Sequence, residues 1–233
     1  MLIMRWRNVL NLTATVALLT GPLAAQDTRP GIAVLPFDNG GSFGQSKEDL
    51  AALQQGIPAM LISELSHNEA ARLVDRRDVN QLLNEQNLAA QGRVDAATAA
   101  KIGKLVGARY MIMGGFVDLN GDFRIDARIV DVETSEIIKS VSAKNKRDKL
   151  FDLIQSIATQ VMTETKLPPL SSQQAAVMKR TVPTDALTFY SRALLYQDQG
   201  DNKKAEVYFR KALDAFPNFA EANEGLKKVT APS

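Results

Sequence analysis

The sequence predicts an α/β domain, a mixed β-sheet flanked by helices, followed by a small all-α helical hairpin. Short apolar runs bounded by turn residues are interleaved with segments whose apolar residues recur every three or four positions. A strict apolar/charged alternation follows an Asn-Gly pair at 120–121. Towards the carboxyl terminus, small and aromatic residues recur at the spacing of a helical repeat of roughly 34 residues.

Residues 1–25 have the layout of a secretory signal. Arg5 and Arg7 form its basic start, Val9 to Leu19 is apolar apart from Asn11, Thr13 and Thr15, and Gly21-Pro22 breaks the helix before an expected cleavage after Ala25. The apolar stretch falls short of the roughly 20 residues a membrane span needs. The run Gly31 to Phe37 then reads as a buried strand ending at Pro36. Ser46 with Asp49 resembles a capping box, and Leu50, Leu53, Ile57, Leu61 and Leu65 follow at helical spacing. Pro58 lacks a backbone donor, so a kink or break is expected near Gly56. Arg72-Leu73-Val74 reads as a second strand. Asp78 is expected to cap a helix carrying Val79, Leu82 and Leu83, and Asp95 another from Ala96 to Val106, stopped by Gly107.

Tyr110 to Val117 is nearly all apolar, and Asn120-Gly121 is a hairpin turn signal. Beyond it Phe123, Ile125, Ala127 and Ile129 alternate with Arg124, Asp126 and Arg128. The sheet should therefore rest on helices with one face and meet water or a partner with the other. Glu133 to Glu136 makes a further turn into a strand from Ile137 to about Ser142. Phe151, Ile154, Ala158 and Val161 mark a closing helix. The expected order is β-α-β-α-α-β-β-β-α.

The chain has 28 Lys plus Arg, 26 Asp plus Glu, one His and no Cys. Without cysteine there is no disulfide, thiol nucleophile, iron–sulfur cluster or lipid-modified cysteine. His67 alone cannot build a His-rich metal site. Loss of residues 1–25 removes Arg5 and Arg7 and no acid, which leaves 26 basic against 26 acidic residues. Nucleic-acid binding, which needs net basic charge, is not expected. Lys144, Lys146, Arg147 and Lys149, interrupted by Asp148, read as a solvated strand-to-helix junction.

Gly40, Gly41 and Gly44 lack the Gly-Lys-Ser/Thr of a phosphate loop. Asp118, Asn120 and Asp122 start like a calcium loop, but its last position would be Ile129 instead of a bidentate Glu. Asp75 and Asp78 flank Arg76-Arg77 as charge balance and capping. No nucleophile elbow or zinc-protease helix exists in the sequence. The protein is not expected to be an enzyme, and no catalytic, cofactor or metal residue is assigned.

Residues 167–183, with Pro168-Pro169, a Ser/Gln run and Pro183, read as a linker between a domain at 28–166 and a helical unit at 184–233. In that unit Phe189, Ala193 and Tyr196 occupy the first-helix positions of a tetratricopeptide repeat. Gly200-Asp201 makes the turn, Ala205, Phe209 and Ala212 the second helix, and Pro217 the end; Arg192 replaces the usual leucine. Ala220 to Val229 reads as the start of a second repeat or a capping helix. Leu187, Tyr190, Leu194 and Gln197 face the groove and are the candidate partner-binding residues. Stacks normally need three or more repeats, so this unit must borrow a surface from the α/β domain, another subunit or a client. Self-association is the favoured source.

Several stretches together resemble the CsgG family, the group that includes the curli secretion channel and HfaB. They are Ile32 to Phe37, Leu73 to Val79 continuing into Leu82 to Gln86, Ala96 through Gly107-Ala108-Arg109-Tyr110 to Gly114, and Arg128 to Thr134. The resemblance covers about residues 28–166, and the TolB amino-terminal domain and LpoB-type activators share the layout. It implies a non-enzymatic protein exported to the periplasm, working in curli-type assembly, transport or secretion. The implied partners are envelope proteins and further copies of the chain as a homo-oligomer, with a peripheral contact to the outer membrane as an option. Two departures matter. No cysteine is present for a lipoprotein anchor, and no spare segments of about 9–11 alternating residues exist in 38–46, 87–94 or 167–183 to form membrane hairpins. A soluble periplasmic relative is therefore expected ahead of a pore subunit. The alternatives are a repeat-based binding scaffold and a periplasmic regulator of the LpoB or TolB type.

Overall fold

The computed structural model describes residues 27–44, 46–85 and 94–231; the signal expected at 1–25 lies outside them. Strand β1 (Gly31–Val34) is buried throughout and pairs in parallel with β3 (Arg72–Leu73) on one side and β4 (Tyr110–Leu119) on the other. β4, β5 (Asp122–Asp131) and β6 (Glu136–Lys146) form an antiparallel meander, giving the order β3-β1-β4-β5-β6. A short β2 (Asp38–Asn39) lies parallel to the outer end of β4. It was not expected from the sequence, because two residues after a proline carry no periodicity. Gly115 makes room for it, since a Cβ there would sit 2.8 Å from the Asp38 carbonyl oxygen. Asn120 and Gly121 both have positive φ, 52° and 96°, as a two-residue hairpin turn requires.

The helices of this part are α1 (Lys47–Ser66), α2 (Arg76–Glu85), α3 (Ala96–Leu105) and α4 (Leu150–Glu164). Apart from β2, the element order up to α4 agrees with expectation, and the mixed α/β class with a helical carboxyl-terminal part is the observed one. Phe123, Ile125, Ala127 and Ile129 of β5 join the core beneath α1 and α4. The opposite face is not uniformly open. Along it β5 reads Arg124, Asp126, Arg128 and then Val130, and Val130 joins Met111, Met113, Val79 and Ile102 in a second core under α2 and α3. Helices thus cover this face where its residues are apolar and leave it bare where they are charged.

Pro58 does not break α1, which runs unbroken for 20 residues. A helix-interior proline orphans the carbonyl four residues earlier. Here that carbonyl, Gln54 O, accepts from Phe37 N at 3.0 Å, so the exit of β1 supplies the missing donor. Nor does Asp78 cap α2: the helix begins earlier, and Asp75 Oδ1 accepts from Arg77 N at 2.8 Å. Ser46 and Asp95 cap α1 and α3 as expected, each accepting from the amide three residues on.

Residues 167–183 carry the short helix α5 (Ser172–Val177), which opens on a capping box between Ser171 and Gln174. Leu167, Leu170 and Met178 pack on the main core and Val182 is buried in it. Next come α6 (Thr184–Asp198), α7 (Asn202–Ala215) and α8 (Ala220–Thr230). Ala193, Ala205 and Ala212 are fully buried where the first two helices meet, and Gly200 turns between them at φ 78°. The core of this unit is continuous with that of the sheet through α1.

Candidate functional site

The α1 helix is buried on two sides. Leu50, Leu53, Ile57 and Leu61 form the stripe read from the sequence, and Ala52, Gly56 and Met60 run at a spacing of four along another. At Gly56 the approach is closest, since a Cβ there would lie 1.7 Å from Ser191 Oγ. Ser191 is fully buried on α6, its hydroxyl donating to Leu187 O at 2.7 Å. The repeat therefore takes its missing surface from α1 of the same chain, and not from another subunit, the source favoured from the sequence.

Charged groups ring this apolar contact. Arg192 Nε donates to Asp49 Oδ1 at 2.6 Å, its guanidinium lies over the Tyr208 ring at 5.4 Å, and Glu48 is 3.4 Å away. The residue that departs from the repeat pattern is thus one that ties the repeat to the α/β domain. The Tyr196 hydroxyl donates to Glu48, which pushes its pKa up to about 12. Arg76 on α2 forms a two-bonded pair with Asp198 at the end of α6, one bond measuring 3.0 Å. At the far end the fully buried Glu64 accepts from Arg180 at 2.7 Å and from Gln155 at 3.1 Å, and Arg180 also reaches Glu221 of α8. Buried carboxylates persist only when paired in this way.

Of the four candidate groove residues, Leu187 is fully buried and offers no surface to an outside partner. Its place in the shared core corrects the expectation that it is free to touch one. Tyr190, Leu194 and Gln197 are brought together in the wall of a cleft of about 330 Å³, completed by Ala59 and Ile62 of α1, Leu73 of β3 and residues of α8. The Tyr190 ring packs against Phe219 at 5.0 Å and Phe209 at 6.0 Å. Burial, reinforced by the nearby Glu221 charge, holds its hydroxyl well above the usual tyrosine value. A second cleft, of about 560 Å³, lies on the other side of β3 between α2 and α3. A third, of about 470 Å³, is the bare sheet face, lined by Gly115, Arg124, Asp126, Arg128, Ser140 and Ser142.

Asp118 and Asp75, weighed for chemistry, have structural partners. Asp118 is fully buried, accepts from Gly121 N at 2.9 Å and pairs with Arg147, so it holds the hairpin turn in place. His67 Nε2 stands 4.0 Å from Glu64 Oε1 at the end of α1. Asp75 pairs with Arg77 at 3.3 Å. Sequence reasoning missed Gly56, Glu64, Arg180 and Ser191. Two signals could have found the interface: the small-residue spacing along α1, and a charge at Arg192 where the repeat prefers leucine.

A family model described as curli production assembly/transport component CsgG matches residues 20–124, and a tetratricopeptide repeat model matches residues 186–219. No curated protein matches the chain. Among solved structures it is similar to the LpoB C-terminal domain from Escherichia coli, at 19% identity over 51% of this chain and 83% of that one, with a TM-score of 0.40. A PelC dodecamer from Paraburkholderia phytofirmans matches at 12% identity over 61% and 91%, with a TM-score of 0.38. TolB from Acinetobacter baumannii matches at 15% identity over 69% and 31%, with a TM-score of 0.37.

Proposed function

We propose that this chain, a CsgG-type domain carrying one tetratricopeptide repeat, is a non-enzymatic protein of the cell envelope that acts by binding other proteins, in curli-type assembly, transport or secretion. The observation that carries the reading is the shared core of α1 and α6, with the ion pairs around it. The repeat is held as a fixed part of the α/β domain, so its remaining clefts present one rigid surface to a partner. The match of residues 20–124 to a curli production assembly/transport family supports the envelope setting.

The outward residues Arg124, Asp126 and Arg128 of β5 favour a water-facing role, as an assembly factor or periplasmic regulator, over a lipid-facing strand. Further copies of the chain have a place to add, because β6 is an edge strand on which Ile137 and Ile138 are exposed. The tagged full chain, expressed in a Gram-negative host, tests the proposal by fractionation, light scattering and crosslinking with mass spectrometry. Recovery in the periplasmic or membrane fraction with specific crosslinks to envelope proteins is expected. Cytoplasmic retention, or specific turnover of a small molecule, would overturn it.

A further inference from the structure

We infer that the outer edge of β3, with the clefts on its two faces, is a binding site for an extended peptide segment of another protein, in which an aliphatic residue is followed directly by a basic one. This rests on the protein-binding reading above and says which surface does the binding. Strand β3 is an edge strand. Its parallel pairing with β1 uses Arg72 N, which donates to Pro30 O at 3.0 Å, and Val74 N, which donates to Ile32 O at 2.9 Å. In such a ladder the amide and carbonyl of the intervening residue, Leu73, point away from the sheet. Among the described residues they have no partner outside the sheet, and so offer a donor and an acceptor for one more strand, the mode in which main-chain bonds supply affinity and alternate side chains supply specificity.

The two clefts lie where those alternate side chains would go, since successive residues of an added strand point to opposite faces. On the α1 side, Ala59, Ile62, Leu73 and Leu194 give an apolar lining suited to an aliphatic side chain. Tyr190 stands in the same wall. It is only 7% exposed, and among the described residues its hydroxyl has no hydrogen-bond partner. The ring is buried while the hydroxyl reaches the cleft, where a carbonyl of the incoming peptide would accept its hydrogen bond. On the other side, Asp75 and Asp78 lie beside Leu82, Val106 and the exposed Leu105. Asp78 has no ion-pair partner among the described residues, and Arg72, which also lines this cleft, has its guanidinium engaged by Gly107 O. A lysine or arginine fits this cleft, its stem along the leucines and its charge at Asp78.

The test is calorimetric titration and amide NMR of the full mature chain with a capped hexapeptide, Ser-Thr-Leu-Lys-Thr-Ser, and its Leu-Glu counterpart. Saturable binding of the Leu-Lys peptide is expected, with the Leu73 amide among the largest shifts. Tyr190→Phe keeps the ring and should weaken binding about two- to tenfold. Asp78→Lys, on an exposed helix turn, should reverse the preference towards the Leu-Glu peptide. No saturation at millimolar peptide, or equal affinities in both variants, would overturn the inference. So would a dimer that these substitutions dissolve, because a second copy would then be the occupant. If the peptides fail while envelope proteins still crosslink to the chain, this site alone falls and the broader reading stands.

Discussion

Gly56 and Ser191 set the distance between α1 and α6, and the contact leaves no room for a methyl group. Alanine in place of glycine normally stabilises a helix by up to about 1 kcal/mol. Gly56→Ala should instead cost about 1–3 kcal/mol, because its Cβ would overlap Ser191. Ser191→Gly in the same chain should recover most of that loss, and a double-mutant cycle in urea reads the coupling. Glu221 gives a pH signature at the same interface. Burial alone would raise its carboxyl, but hydrogen bonds from Arg180 and Ser63 outweigh burial and hold it below its ordinary value of 4.5. A group lowered by folding stabilises fully above its unfolded pKa and loses that contribution as the pH falls through the lowered one. Urea midpoints of the parent should therefore drop as the pH falls below about 4.5, and Glu221→Gln should show a shallower drop. Identical slopes would show that the carboxylate contributes nothing there.

At the scale of elements, α1 shows how a local rule yields to a neighbour. A proline inside a helix costs about 3 kcal/mol when the orphaned carbonyl has no donor. Because Phe37 N already bonds Gln54 O, Pro58→Ala should change stability by less than about 1.5 kcal/mol instead of recovering that cost. Chemical denaturation of the two chains side by side measures it. The sheet faces follow the same logic. The alternation in β5 was legible, yet its even-numbered face changes from charged to apolar at Val130, and only the placement of α2 and α3 shows that this half is covered.

For the whole molecule, the consequence of the shared core is that the α/β domain and the repeat unfold together. The most protected amides of β4 and α6 should exchange with the same free energy, and the loss of helical circular dichroism should be a single transition. Distinct free energies for the two would contradict a common core. Truncation after Pro183 should expose the Ala52, Gly56 and Met60 face of α1 and give a chain that aggregates or loses cooperative unfolding, as light scattering and thermal melts would record. The repeat cannot be discarded to study the domain alone.

Element identity, order and the two motifs were readable in the amino-acid order, because period, turn chemistry and capping are local properties carried by neighbours in the chain. The hairpin at Asn120-Gly121, the caps at Ser46 and Asp95 and the alanine positions of the repeat all follow from spacing. What covers α1 was not readable that way. Gly56 and Ser191 are far apart in sequence, as are Glu64 and Arg180, so the spacing along α1 marks a second buried face but not the helix that meets it. The groove residues were identified from the repeat pattern, but whether they meet an outside partner depends on where another helix lies. That was decided only by packing in three dimensions, where one close contact and a ring of paired charges let a lone repeat close over the helix beside it.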